Sequence, residues 1–274
     1  MTEIIQAILL GIIQGITEWL PISSTGHMIL LNSLWPMQLS TEFVNLFLVV
    51  IQFGSILAVI VLYFHRLWPF SLKKTKEERK DTWILWAKVL VAAVPAAIIG
   101  LLFDDQIDAL LYTPTVVAIA LIVYGIFFLV LESRKREPKV TSIKELSFSK
   151  ALLIGVFQIV ALVPGTSRSG STILGAIAIG CSREVAAEFS FFLAVPMMFG
   201  ASAYKIYKYF KVSALAFSSI EMIVLATGMI VAFVVSIFAI KFLMNYIKKH
   251  DFKVFGWYRI VLGLVVIAYF LFLK

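Results

Sequence analysis

Two short polar stretches interrupt otherwise apolar sequence, and the residues in them are of types that handle phosphate. The first reads Gln14-Gly15-Ile16-Thr17-Glu18-Trp19-Leu20-Pro21-Ile22-Ser23-Ser24-Thr25-Gly26-His27. Gln14 and Glu18 are four apart, so a helix places them on one face. Pro21 cannot continue that helix, because it lacks an N–H and its ring clashes with the preceding turn. The run Ser23-Ser24-Thr25-Gly26 suits a tight loop and then a helix N-terminus, with His27 in its first turn. Unpaired N–H groups at such an end attract anions. A carboxylate and an imidazole inside an apolar segment are costly to bury and persist as functional groups. An interfacial position for Glu18 and His27 would leave the hydroxyls between them unexplained. His65 and His250 end apolar spans beside basic loops, where an interfacial position suffices.

The second stretch reads Pro164-Gly165-Thr166-Ser167-Arg168-Ser169-Gly170-Ser171-Thr172. A guanidinium matches phosphate oxygens with a planar fork and keeps its charge when desolvated. Small neighbours let backbone N–H groups converge on an anion, and helix capping alone would need no arginine. Arg168 with the hydroxyls of Ser167, Ser169 and Thr172 is therefore expected to hold a phosphate group, with Gln14 and Thr25 contributing from the first stretch. Neither stretch is a P-loop, since no Lys follows a Gly-x-x-x-x-Gly. No Gly-x-Ser-x-Gly occurs either, which sets aside a serine-hydrolase elbow. Arg183, Glu184 and Glu188 are read as salt-paired or helix-terminal.

These stretches have to be positioned by membrane-spanning helices. The chain has 274 residues, 61% of them hydrophobic and 15% charged, with a mean hydropathy of +0.97. A soluble domain carries roughly a quarter charged residues. Phe43 to Phe64, Ala109 to Leu131 and Met222 to Ile240 contain no Asp, Glu, Lys, Arg or His, and each approaches or exceeds the ~20 residues that cross a bilayer core. The net charge of +8 sits in short loops between apolar blocks, as in cytoplasmic loops, so nucleic acid is not expected as a partner. Cys181 is the lone cysteine and reads as a small packing residue. The N-terminus lacks a basic region, so no cleavable signal peptide is expected.

Full spans are expected near 43–64, 84–103, 114–132, 186–207, 220–244 and 256–273. Two interrupted segments, one at Ile4 to Leu20 that breaks at Pro21 and resumes at Met28 and one over about 150–180 with its break at Pro164, fit as re-entrant helical hairpins entering from opposite sides. The basic runs Lys73 to Lys80 and Arg134-Lys135-Arg136 should be cytoplasmic, with Lys248, Lys249 and Lys253 as a third basic loop, and Asp104-Asp105-Gln106-Ile107-Asp108 outside. Lys205, Lys208 and Lys211 then fall outside, against the charge bias. The halves also resemble each other. Gly11-Ile12-Ile13-Gln14 leading to Pro21 and Ser24 matches Gly155-Val156-Phe157-Gln158 leading to Pro164 and Ser167, and Phe53-Gly54-Ser55 echoes Phe199-Gly200-Ala201. The expected fold is all-α: one polytopic membrane domain, 1–274, of about six transmembrane helices and two hairpins, in an inverted-topology repeat of about 1–132 and 150–274.

Over essentially its whole length the chain resembles the undecaprenyl-diphosphatase family of bacteria, the bacitracin-resistance type. The resemblance rests on Glu18 to His27 and Pro164 to Thr172, two long motifs in the right order and spacing. It implies an inner-membrane enzyme, its site facing the periplasm, that releases phosphate from undecaprenyl diphosphate and so recycles the lipid carrier of cell-wall synthesis. The family's first motif opens with Glu or Gln, then three residues, then Glu; this chain has the Gln form at Gln14. Mg²⁺, or another divalent cation such as Ca²⁺, is expected to bind Glu18, Gln14 and the substrate phosphates together, since Mg²⁺ often uses few protein ligands.

Glu18, Ser24, His27 and Arg168 are the expected catalytic residues. Ser24 or His27 would attack phosphorus, or His27 would serve a hydroxyl as base, while Glu18 orients His27 or the metal. The prenyl tail of the lipid substrate would lie along Phe189 to Phe192, open to the bilayer. A homodimer is left open. The alternative of another class is a transporter or flippase for an anionic lipid phosphate, because inverted repeats with broken helices are typical of carriers.

Overall fold

A computed structural model describes residues 1–134, 137–213 and 217–272. Its helices in chain order are α1 (Thr2–Thr17), α2 (Ser24–Leu34), α3 (Thr41–Leu62), the one-turn α4 (Phe64–Leu67), α5 (Lys76–Leu111), α6 (Pro114–Ser133) and α7 (Phe148–Ile159). A 3-10 turn (Val160–Leu162) follows, then α8 (Arg168–Ala178), α9 (Arg183–Ser213), α10 (Ser219–Tyr246) and α11 (Lys253–Phe272). Among the described residues no strand forms, and an isolated bridge pairs Val140 with the buried Cys181. The chain is all-α, as expected. Six helices, α3, α5, α6, α9, α10 and α11, are long and apolar enough to cross a membrane. The molecule's exterior is correspondingly apolar: Leu101, Ile119, Ile230, Phe238 and Val261 all face outward. It is a multi-pass membrane protein.

Local chemistry starts these helices. Ser40, Thr113 and Ser147 accept N–H groups of the first turns of α3, α6 and α7, and Thr75 with Glu78 and Ser218 with Glu221 form complete capping boxes at α5 and α10. Helix α9 proves longer than its hydropathy, covering 183–213 where 186–207 is expected, and α5 starts earlier, at Lys76 rather than near 84, but its helical geometry breaks at Phe103, where the expected span ends. Loss of hydropathy marks where lipid contact ends, not where backbone hydrogen bonding stops. Asp104 and Asp105, expected in a loop, therefore ride on the last turns of α5. There they pair with two of the three lysines that run against the charge bias. Lys208 of α9 lies 3.3 Å from Asp104 and 2.8 Å from Asp105, and Lys205 lies 3.5 Å from Asp104. Neutralised in this way, the lysines place little net positive charge at that end of the bundle. Of the basic run at 134–136, Lys135 and Arg136 lie outside the described residues.

Several helix pairs recur when the two halves are exchanged, while the α8–α9 packing has no α2–α3 counterpart of similar extent. Helix α1 packs on α10 as α7 packs on α5, α3 meets α10 as α9 meets α5, and α2 meets α11 as α8 meets α6; the α3–α9 and α6–α11 pairs map onto themselves. Phe53 and Phe199 face each other across α3 and α9, with ring centroids 5.9 Å apart. Small residues set these contacts, because apolar helices in lipid associate by close packing. A Cβ on Gly125 of α6 would stand 2.7 Å from the Gly256 carbonyl of α11, and one on Gly256 would stand 2.9 Å from the Gly125 carbonyl.

Gly125→Val should therefore force α6 and α11 apart and destabilise the detergent-solubilised protein by about 1–3 kcal/mol, the usual range for overpacking. Thermal unfolding checks this, and an unchanged midpoint would mean the helices are not held at this distance.

Candidate active site

Both polar stretches form loops between a pair of short helices. Helix α1 ends at Thr17, with Glu18 as its C-cap, before the proline that stops it. The chain turns through Trp19 to Ser23 and enters α2, with His27 in its first turn. Helix α7 ends at Ile159, passes through the 3-10 turn, and loops through Gly165 into α8. The two caps are built alike. Ser23 and Ser167 both have φ of 72°, and their hydroxyls accept the N–H of Gly26 and Gly170 at 3.3 and 3.1 Å. Positive φ in a non-glycine residue is strained and persists where its surroundings over-determine it.

The surroundings here are each other and α11. Arg168 Nη2 lies 3.2 Å from Glu18 Oε1, a buried ion pair between residues 150 apart in sequence. The other oxygen, Oε2, accepts from Gln14 Nε2 at 3.0 Å and from Ser24 Oγ at 3.2 Å. The guanidinium is oriented further by Nη1 donating to the Ser190 carbonyl at 2.7 Å and to its hydroxyl at 3.2 Å, and it sits 5.7 Å from the Trp19 ring centroid. Its Nε has no protein partner. Ser169 donates to the Glu18 carbonyl at 2.9 Å, and Thr172 bonds the Arg168 carbonyl and the Ser190 hydroxyl.

Sequence reasoning missed the residue that ties the loops together. Arg259, in the second turn of α11, is fully buried and donates to the carbonyls of Pro21 (3.1 Å), Gly165 (2.8 Å) and Thr166 (2.9 Å). The Tyr124 ring lies 5.5 Å from it. A lone arginine inside an apolar span was a signal of the same kind that singled out Glu18. Gln158 occupies the position that echoes Gln14. It is 1% exposed, and neither its amide oxygen nor its nitrogen has a protein partner.

Glu18, Ser24, Thr25, Ser167, Arg168 and Gln158 line a chamber of about 250 Å³ between the halves. A second cavity of about 370 Å³ shares Ser24, Thr25 and Gln52 with it and adds Gln14, Asn45, Asp104 and Lys205. The structure thus brings together Gln14, Glu18, Ser24, Thr25, Ser167 and Arg168. Ser169 and Thr172 stand behind them, Ser169 bonding the carbonyls of Glu18 and Leu20 and Thr172 joining the first turn of α8 to Ser190 of α9. His27 is not brought into the chamber: its Nδ1 is 2.7 Å from the Ser23 carbonyl and its Nε2 2.7 Å from the Tyr258 hydroxyl of α11. Phe189, Phe191 and Phe192 do not face the bilayer. They are fully buried in the core, Phe191 edge-on to Trp19 at 5.3 Å, so they cannot form an open track for a prenyl tail. Glu188 pairs with Arg66 and Arg183 with Glu132, as ion pairs outside the chamber.

Among the described residues no three His, Cys, Asp or Glu gather as a metal site. Around Glu18 the donors are oxygens and amides (Gln14, Ser24, Gln52 and Asn45 lining the cavities), and both carboxylate oxygens already accept hydrogen bonds. That set does not fit an all-protein cage. It fits a hard cation that keeps most of its water and arrives with phosphate oxygens.

The family described as bacitracin resistance protein BacA matches residues 7–265, a span holding every residue named in this site. The chain belongs to this BacA family. Its relatives include an undecaprenyl-diphosphatase of Acetivibrio thermocellus, 60% identical over 273 residues and 99% of both chains. One of Enterococcus faecalis is 61% identical over 269 residues and 97% of both chains. Undecaprenyl-diphosphatase 1 of Clostridioides difficile is 57% identical over 270 residues, 98% of this chain and 97% of the relative. This BacA-family chain therefore aligns with its relatives end to end.

Arg259→Met should leave three buried carbonyls without a donor, at about 1–3 kcal/mol each, and unfold the loops with loss of the folded monodisperse protein. Arg259→Lys, which donates in fewer directions, should fold with a lowered thermal midpoint. Full stability of the methionine variant would show that Arg259 does not hold the loops.

Proposed function

We propose that the chain hydrolyses undecaprenyl diphosphate to undecaprenyl phosphate and inorganic phosphate, recycling the lipid carrier for cell-wall synthesis. It does so in the bacterial plasma membrane, with its site opening to the outside, and the two loops are re-entrant hairpins of an inverted repeat. The observation that carries the reading is the Arg168–Glu18–Ser24 cluster in a buried chamber, in a chain whose relatives bear the name of that activity. The exchangeable helix pairing supports the repeat. Helix α1, at 1.5 Å per residue, is about 24 Å long, short of the ~30 Å of a bilayer core, and supports re-entry.

The chemistry follows from the donors present. The diphosphate enters the chamber head first and takes up the unpartnered Nε of Arg168 and the amide of Gln158. Charge neutralisation and positioning supply most of the catalysis in phosphoryl transfer. Ser24 Oγ, already within hydrogen-bond distance of Glu18, gives its proton to that carboxylate as the oxygen attacks the terminal phosphorus. The bond from that phosphorus to the bridging oxygen breaks, and undecaprenyl phosphate leaves. Water then attacks the phosphoserine, with Glu18 moving the proton, and releases inorganic phosphate. A divalent cation held by Glu18 and Gln14 supplies further charge neutralisation to the phosphate oxygens when bound. His27 acts from behind. A carbonyl only accepts, so Nδ1 carries the proton that fixes the Ser23 carbonyl, and with it the strained turn presenting Ser24.

Three outcomes follow for purified protein in detergent given a prenyl diphosphate. Phosphate release should drop by about a hundredfold to a thousandfold in Arg168→Ala, the usual loss when a charge-stabilising donor is removed, in protein that still folds but with a lowered thermal midpoint, because Glu18 loses its buried partner; near-normal turnover would refute the assignment. Gln158→Leu should raise KM about tenfold, the worth of one hydrogen bond, while its thermal midpoint stays level or rises, because no bond within the protein is lost. A fall in stability that tracks the fall in activity would instead make Gln158 a packing residue. Chelation should lower turnover and added Mg²⁺ restore it; chelator-indifferent turnover would remove the cation. A lipid carrier without hydrolytic activity would release no phosphate in any of these assays.

A further inference from the structure

At the opposite end of α5 from Asp104, the turn that joins α3 to α5 holds a row of aromatic rings out of the core. Phe64, Trp68, Phe70 and Trp83 are between 44% and 62% exposed. Their ring centroids lie 5.6 Å apart from Phe64 to Trp68, 5.4 Å from Trp68 to Phe70 and 5.7 Å from Phe70 to Trp83. The row is held in place. Trp86 Nε1 donates to the Leu67 carbonyl at 2.8 Å, and the Lys74 ammonium donates to the Trp68 carbonyl at 3.0 Å and the Thr82 hydroxyl at 2.7 Å. The charges beside the row are unevenly committed. Glu78 closes the capping box of α5, and Asp81 pairs with Lys144 at 2.6 Å. Among the described residues no ion pair engages Lys73, Lys76, Arg79 or Lys80, and Arg79 Nε has no protein partner. Lys76, Lys80 and Trp83 share one face of α5 by their spacing of four and three. Leu90, Val94 and Ile98 continue that face, all exposed. At 1.5 Å per residue, Lys80 stands about 4.5 Å and Lys76 about 10 Å beyond Trp83 along the axis. Indole rings settle where hydrocarbon meets headgroups, so the lysines reach the layer of lipid phosphates. From ammonium through indole to aliphatic side chains, the face follows the order of groups along one phospholipid.

We propose that this face of α5, with the aromatic row beside it, is a binding site for an anionic phospholipid of the phosphatidylglycerol type. Its phosphate lies on Lys76, Lys80 and Arg79, its glycerol backbone against Trp83, and an acyl chain along Leu90 and Val94. Charge and symmetry choose the occupant. A zwitterionic headgroup would bring a cation of its own to cations that already lack partners. A second copy of the chain, docked here about a twofold axis, would set the same lysines against each other. The site is independent of the phosphatase reading. Its work is to hold α5 at a fixed depth, and α5 packs on α7, the helix that leads into the Arg168 loop. Each lysine near the membrane surface adds about fivefold to the affinity for anionic lipid.

The test places the purified protein in nanodiscs of phosphatidylcholine, alone or mixed with phosphatidylglycerol. Thermal unfolding is followed, and native mass spectrometry reads the lipids retained. The native protein should unfold at a higher temperature when phosphatidylglycerol is present, as mass action requires of a ligand that binds the folded state. Lys76→Gln combined with Lys80→Gln should lower phosphatidylglycerol retention by about tenfold or more and flatten the thermal response. Lys248→Gln combined with Lys249→Gln, in a basic loop outside the row of rings, should leave both readouts unchanged. Trp83→Ala should weaken retention with every charge still in place. A thermal response that persists in the Lys76 and Lys80 variant, or that the Lys248 and Lys249 variant loses equally, would overturn the site. An equal midpoint for the native protein in the two nanodiscs would do the same. So would an equal rise produced by inorganic phosphate in phosphatidylcholine nanodiscs, which would make the ligand a free anion and not a lipid.

Discussion

Non-helical backbone buried inside a helical membrane protein has to find hydrogen-bond partners from the protein, because lipid offers none. In this chain a single guanidinium meets a large part of that constraint, helped by the hydroxyls of Thr166 and Ser169. Arg259 supplies donors to three carbonyls on two loops that are far apart in sequence, and a buried arginine is itself tolerable because those carbonyls and the Tyr124 ring receive its charge. Each side solves the other's problem. Remove the arginine and the loops expose polar backbone; remove the loops and a charge is stranded in an apolar bundle.

The Glu18–Arg168 pair depends on this clamp. Buried ion pairs gain little net stability, since desolvation offsets much of their attraction, and here the pair leaves capacity unspent: Arg168 keeps an unpartnered Nε, and Gln158 nearby keeps both ends of its amide free. Unsatisfied groups of this kind are a cost to the empty protein. They make sense as a cavity organised for a ligand rich in acceptors, with Ser190 and Trp19 holding the guanidinium in place beforehand. Strain at Ser23 and Ser167 belongs to the same economy, because turning the chain at those residues lets both helix N-termini start at the chamber.

The near-exchange symmetry of helix pairing has a functional consequence through its departures. Gln14 and Gln158 are equivalent by position, yet Gln14 bonds Glu18 while Gln158 bonds nothing in the protein. The carboxylate belongs to the first half and the arginine to the second. The site is thus shared unequally, with the hydroxyl of Ser24 on one loop and the guanidinium of Arg168 on the other.

The membrane class, the helix count and both loops were legible in the sequence, because hydropathy and proline act locally: a block without charges spans, and Pro21 and Pro164 stop a helix wherever the rest of the chain goes. Glu18, Ser24 and Arg168 stood out because charge and hydroxyls in apolar sequence are expensive wherever they are packed. Only the tertiary structure could decide which of these groups meet. It turned His27 toward Tyr258, set Ser169 on the first loop and Thr172 against α9, closed Phe189 to Phe192 into the core and gave the lone arginine of α11 its partners on both loops. Direction on a helix and partners across hundreds of residues depend on how the helices pack, and no local pattern of residue types encodes that.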